Sequence, residues 1–158
     1  STDGVNTVFG KISLFFGGAE ATNVFLNDVP TALSTNPQTP TDLGSVPSGA
    51  SRVFKLQLND ANLNPLPKGT TVAVLSPVNV TVATPLPAAV PDIRPHRTGA
   101  DDITGNNISG AQGSFHTFTV SNTLAVPCVP ANATFSVLIT SPGGVATSFP
   151  FKLAFTYP

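Results

Sequence analysis

The sequence predicts an all-β fold in which two antiparallel sheets pack face to face. Three observations point there. Residues 133–155 alternate apolar and polar side chains on both sides of a Pro-Gly-Gly break: Phe135, Val137 and Ile139 against Thr134, Ser136 and Thr140, then Phe149, Phe151, Leu153 and Phe155 against Ser148, Lys152 and Thr156. A period of two on either side of Ser141-Pro142-Gly143-Gly144 reads as a hairpin with one buried face. Shorter stretches of the same period recur along the chain, roughly seven to nine strands in all, with no helical period between them. The 16 prolines fall at intervals that no helix accepts. Strands with one apolar face need a second sheet to cover it, which makes a sandwich. The hairpin is its expected centre, since burying each inward side chain is worth about 1.5–3 kcal/mol before entropy is subtracted.

In chain order, Val8, Ile12, Leu14 and Phe16 share one parity, with Thr7, Lys11 and Ser13 on the other. This is a first strand, stopped by Gly17-Gly18. A short run follows at residues 23–27. Residues 30–49 carry Pro30, Pro37, Pro40 and Pro47 with almost nothing apolar in register, so they read as a loop or linker. That places the best boundary there: residues 1–48 as an N-terminal strand extension with a Pro-rich linker, packing on or extending from a sandwich of residues 49–158. Within the body, Phe54, Leu56 and Leu58 oppose Val53, Lys55 and Gln57. DANLNPLPKG (residues 60–69) forces a reversal. Val72 and Val74 come next, then Pro77, then Val78, Val80 and Val82 in alternation. Residues 85–113 have no usable period and form a long excursion. Phe118 and Val120, opposed by Thr117, Thr119 and Ser121, make the strand before the hairpin, with residues 124–130 connecting the two. Pro150 occupies the outward face of the last strand. It has no N–H to donate, so that strand is expected at an edge or with a bulge.

Composition narrows the function classes. Only 9% of the 158 residues are charged, against about a quarter in ordinary domains, while 41% are hydrophobic and 11 are Phe. Such a chain packs a core and is not disordered. A net charge of −1 argues against nucleic-acid binding. No apolar run approaches about 18 residues, so no membrane span is expected. Cys128 is alone, which rules out an internal disulfide and leaves a buried inert thiol as the plain reading. The chain lacks Met and begins at Ser1, as expected of a processed or excised product. Low charge with many uncharged polar residues points to export.

Two segments resemble a known family. Residues 54–74 (FKLQLNDANLNPLPKGTTVAV) look like strand B, its turn and strand C of bacterial immunoglobulin-like (Big or invasin-like) domains, which carry a D-A-N-x-N-P-L-P type turn before a G-T-x-V strand. Residues 134–155 (TFSVLITSPGGVATSFPFKLAF) are similar to their closing F–G hairpin. The chain departs from the family pattern in the excursion at residues 85–113, in the segment before Gly49 and in lacking the Cys–Trp–Cys set of antibody domains. The resemblance implies an immunoglobulin-like sandwich from a bacterial surface protein, adhesin, invasin or exported lipoprotein, with no catalytic residues of its own.

Charge concentrates in DIRPHRTGADD (residues 92–102). Asp92, Asp101, Asp102 and Asn106 are the candidate oxygen ligands for a hard cation, but their spacing matches no EF-hand loop and Arg94 and Arg97 oppose a cation. A solvated loop with locally paired charges is the plainer reading. As a recognition loop on a rigid sandwich, its candidate contacts are Arg94, His96 and Arg97. His96, His116 and Cys128 lack zinc-ligand spacing, and His116, in parity with Phe118, reads as a histidine at the core margin. There is no G-x-S-x-G motif and no opposed carboxylate pair. The N-x-[ST] sequons at Asn79, Asn107 and Asn132 are no more than composition supplies.

The expectation is therefore a non-catalytic structural or adhesive module of an exported bacterial surface protein, with no cofactor. Its partner is a protein, another copy or a cell-surface glycan. The alternative is a filament or pilus subunit assembled by exchange of the N-terminal strand. A carbohydrate-binding domain comes third.

Overall fold

The computed structural model describes residues 18–27, 29, 32–35, 38–92, 113–122 and 131–156. Among these, eight strands form two four-stranded sheets and no helix occurs. The strands are β1 (Phe25–Leu26), β2 (Thr41–Pro47), β3 (Ser51–Leu58), β4 (Thr71–Val78), β5 (Val80–Val82), β6 (Ser114–Asn122), β7 (Ala131–Thr140) and β8 (Ala146–Thr156). One sheet runs β1-β3-β6-β5, the other β2-β8-β7-β4. The first is the A-B-E-D order of an immunoglobulin-like sandwich. The second is C-F-G, extended by β2 lying parallel to β8. Residues 54–74 span strands B and C, and the hairpin supplies F and G.

The alternation in the sequence becomes the interior. Phe54, Leu56 and Leu58 of β3, Phe118 and Val120 of β6, and Phe135, Val137 and Ile139 of β7 are all buried. Those of β3 and β6 face those of β7, and Phe149, Phe151, Leu153 and Phe155 of β8, across the gap between the sheets. Four rings link the two layers. Phe54 stacks on Phe118 at 5.5 Å, Phe118 meets Phe135 edge-on at 6.0 Å, and Phe135 stacks on Phe151 at 5.2 Å. The β7–β8 turn closes through Ser141 N–H to the Val145 carbonyl (2.8 Å), with Gly144 at φ +83°.

Three local readings need correction. Residues 41–47, taken as linker, form β2, which is paired to β8 inside the second sheet. The period of two fails there because the register shifts between Asp42 and Ser45, around Gly44 at φ +76°. Leu43 and Val46, three apart, both point inward and are buried. Pro150, expected on an outward edge, is buried in a strand flanked by β7 and β2. The ladder with β2 starts one residue later, at Thr41↔Phe151, so Pro150 stands just before it and costs that ladder no bond. Val78, Val80 and Val82 do not share one strand: β4 ends at an exposed Val78 and β5 begins in the other sheet at a buried Val80. Ser76 (φ +49°) and Asn79 (φ +56°) make that change of sheet.

Of the excursion, residues 85–92 and Gly113 are described, and residues 85–92 close one side of the sandwich. Ala83 and Leu86 bond Thr119 and Thr117 at the edge of the first sheet. Val72 bonds the Ala88 carbonyl, and Val90 N–H reaches the Thr70 carbonyl at the edge of the second. The expected strand at residues 8–16 and Cys128 lie outside the described residues.

Candidate functional site

One pole of the sandwich is built from polar side chains. Asp60 follows directly on β3 and is almost fully buried. Its Oδ1 accepts the Asn62 and Asn64 amides, each at 2.8 Å, and its Oδ2 accepts Gly18 N–H at 2.8 Å and Asn64 Nδ2 at 3.4 Å. Burial pushes the carboxyl up, but the Gly18, Asn64 and Asn62 amides together with the Asn64 side chain outweigh it, so Asp60 is held below its ordinary value. Asn23 Nδ2 donates to the Asp60 and Ala61 carbonyls, and Asn59 Nδ2 donates back to the Asn23 carbonyl. Gly113 returns the chain here at φ +60°, where a Cβ would overlap the Leu58 carbonyl and Asn59 Oδ1. The strand B–C turn thus ties together the chain entering at Gly18 and the chain returning at Gly113. Residues 93–112, between Asp92 and Gly113 in the sequence, lie outside the described residues.

Beside it lies the one hydroxyl–imidazole pair described. His116 is 0% exposed and Ser114 1%. Ser114 Oγ stands 2.8 Å from His116 Nε2, and His116 Nδ1 stands 2.5 Å from the Pro87 carbonyl oxygen. A carbonyl only accepts, so Nδ1 carries the proton and Nε2 takes the Ser114 hydroxyl. Burial pushes the imidazole below its ordinary 6.5, against the smaller opposing effect of the Pro87 bond. The ring therefore stands neutral and straps residues 86–90 to β6. A catalytic serine and histidine need a substrate within reach and a group that stabilises the imidazolium. This pair is sealed, and its second nitrogen meets a carbonyl instead of a carboxylate. His116 is thus deeper than the core margin where its parity placed it, and Ser114, on the same inward parity two residues earlier, was the overlooked partner.

The outward faces carry the accessible chemistry. On the first sheet Phe25, Gln57 and Phe115 are neighbours in register. Lys55 Nζ lies 4.2 Å from the centroid of the Phe115 ring. Val53 (56% exposed), Leu86 (69%) and Phe115 (38%) complete an apolar patch interspersed with threonines and, among the described residues, holding no acidic side chain. The outward face of the second sheet presents Leu75 and Val78 beside the exposed Lys152–Asp42 ion pair at 3.2 Å.

Of the candidate cation ligands and recognition contacts singled out in residues 92–106, only Asp92 is described. It is exposed and lies 3.5 Å from Lys68 Nζ. Among the described residues no three His, Cys, Asp or Glu side chains gather to hold a metal. Asp101, Asp102, Asn106, Arg94, His96 and Arg97 lie outside the described residues. No helix among the described residues is long and apolar enough to cross a membrane.

No protein-family model matches the chain, and no curated protein does. Among solved structures, it is similar to a family 123 glycoside hydrolase from Clostridium perfringens, studied for glycolipid glycan hydrolysis, with 13% identity and a TM-score of 0.40. The match covers 75% of this chain and 23% of that one, so the chain spans about a quarter of the hydrolase.

Proposed function

We propose that this chain is a non-catalytic structural or adhesive module of an exported bacterial surface protein, of the Big or invasin-like kind. The observation that carries the reading is the state of His116. The imidazole is neutral, sealed and engaged at both nitrogens as a strap within the fold. The polar pole supports it too. A buried, fully bonded Asp60 fixes the turn beside Gly113, where the long excursion ends, and loops on a rigid scaffold are where recognition concentrates. Its partner is a protein or a glycan of a cell surface.

Beads coated with the purified chain, offered matrix proteins and a glycan array, test the reading beside a screen with chromogenic glycosides and esters. Saturable binding to one ligand class without turnover is expected. Turnover that H116A or S114A abolishes would overturn it.

The filament alternative has one feature in its favour, the stretch of β8 at residues 146–150, which among the described residues pairs with β7 alone. However, β2 already closes the second sheet, and Phe149 in that stretch is 0% exposed, so an added strand finds an edge but no empty groove. Oligomer size before and after deletion of residues 1–18 decides. A polymer lost on deletion supports strand exchange, and a parent that is monomeric throughout removes it.

A further inference from the structure

We propose that residues 5–16 of the chain dock on the outward face of its own first sheet, over the patch formed by Phe25, Val53, Leu86 and Phe115. Three observations converge on this occupant. The patch is apolar and exposed: Val53, Leu86 and Phe115 are 56%, 69% and 38% exposed on a face whose only charge among the described residues is Lys55. The segment needs such a surface, because Val5, Val8, Phe9, Ile12, Leu14, Phe15 and Phe16 fall within its twelve positions. The core between the sheets cannot take them, since Phe54, Phe118, Phe149, Phe151 and Phe155 fill it at 0–1% exposure.

The point of departure selects the face. Gly18 N–H bonds Asp60, two residues beyond the end of β3, so the chain leaves at the end of the first sheet that carries the Phe25–Gln57–Phe115 row. Twelve extended residues reach about 40 Å. The four strands of that sheet span only about 15 Å at ~4.8 Å spacing. The outward face of the second sheet, with Leu75 and Val78, lies on the far side of the sandwich. Attachment to the same chain also gives the segment a high effective concentration over its own patch.

Lys11 is the only lysine or arginine before Arg52, and it provides the readout. Lysyl endopeptidase is added to the full chain, and release of peptide 1–11 is timed by mass spectrometry against a synthetic peptide of residues 1–17. Docking slows the cut by about tenfold or more relative to that peptide. V53D and L86D, both at exposed positions, restore most of the peptide's rate, whereas L75D on the other face leaves the protection in place. Thermal unfolding confirms that each variant is folded, and L86D, outside the named strands, stands in if V53D is not. Equal rates in parent and peptide would overturn the proposal. So would protection that V53D and L86D leave untouched, or protection that disappears on dilution together with a dimer seen by light scattering, which assigns the patch to a second copy.

Discussion

The middle of the sandwich and its Asp60 pole are held together by opposite means. In the middle, a file of phenylalanines from Phe54 to Phe151 bridges the sheets, and no polar group needs a partner there. At the pole, Asn59, Asp60, Ser114 and His116 are as deeply buried as the rings; Asn59, Asp60 and His116 bond distant segments, and Ser114 bonds His116. The middle tolerates exchange of one apolar shape for another at modest cost. The pole does not, because removing one acceptor strands several buried donors. The pole is therefore the more specific part of the molecule, and Gly113, where the long excursion ends, packs against it.

The largest effect is expected in the middle. F118A removes a ring that touches both Phe54 and Phe135, and urea unfolding should register a loss of about 3–5 kcal/mol. A loss under about 1 kcal/mol would mean that the sheets close over the gap and the file is not what joins them. Next is D60A, which leaves the Gly18, Asn62 and Asn64 amides without their acceptor, at a cost of roughly 2–4 kcal/mol. If D60A costs as little as an exposed-site change, the contrast between the regions fails.

Acid acts on the pole without mutation, through His116 and then Asp60. His116 is held below its ordinary 6.5 by burial, so the unfolded chain binds its proton first. Stability contributed by neutral His116 is complete above 6.5 and declines as pH falls below it. Asp60 is depressed despite burial, by the amides that bond it, so its contribution holds above 3.8 and disappears as pH falls below that. Unfolding midpoints should therefore fall in two stages on acidification, and H116F should flatten the first. The smallest effect is expected at the β2 bulge. A Cβ on Gly44 meets nothing nearer than Arg52 Nη1 at 4.0 Å, so G44A carries only the cost of its positive φ, about 1 kcal/mol.

The same contrast explains what could be read from the sequence. Alternation is a local signal, and it located β3, β6, β7 and β8 with their inward residues. It failed where geometry departs from a period of two: at Gly44, where the bulge puts Leu43 and Val46 on one face, and at Asn79, where the chain changes sheets. The pole was hidden for another reason. Asp60 and Asn64 read as turn formers, whereas the partners that give Asp60 its role include Gly18, 42 residues away, and His116 bonds Pro87, 29 residues away. Spacing carries no trace of such pairs. One local clue was available: Ser114 and His116 share inward parity with Phe118, and two polar side chains at the end of an apolar row must satisfy each other. The charged residues of the excursion beyond Asp92 lie outside the described residues, so the recognition reading rests on the scaffold that carries them.

The most direct test is the ring of His116, followed by ¹⁵N and ¹³C NMR in the folded chain between pH 8 and 5.5. The expected result is a single neutral tautomer, with the proton on Nδ1 and the signals unmoved while the protein stays folded. An imidazole that titrates near 6.5 and exchanges freely with solvent would place it in a working cleft, and the reading of this molecule as a non-catalytic module would fail.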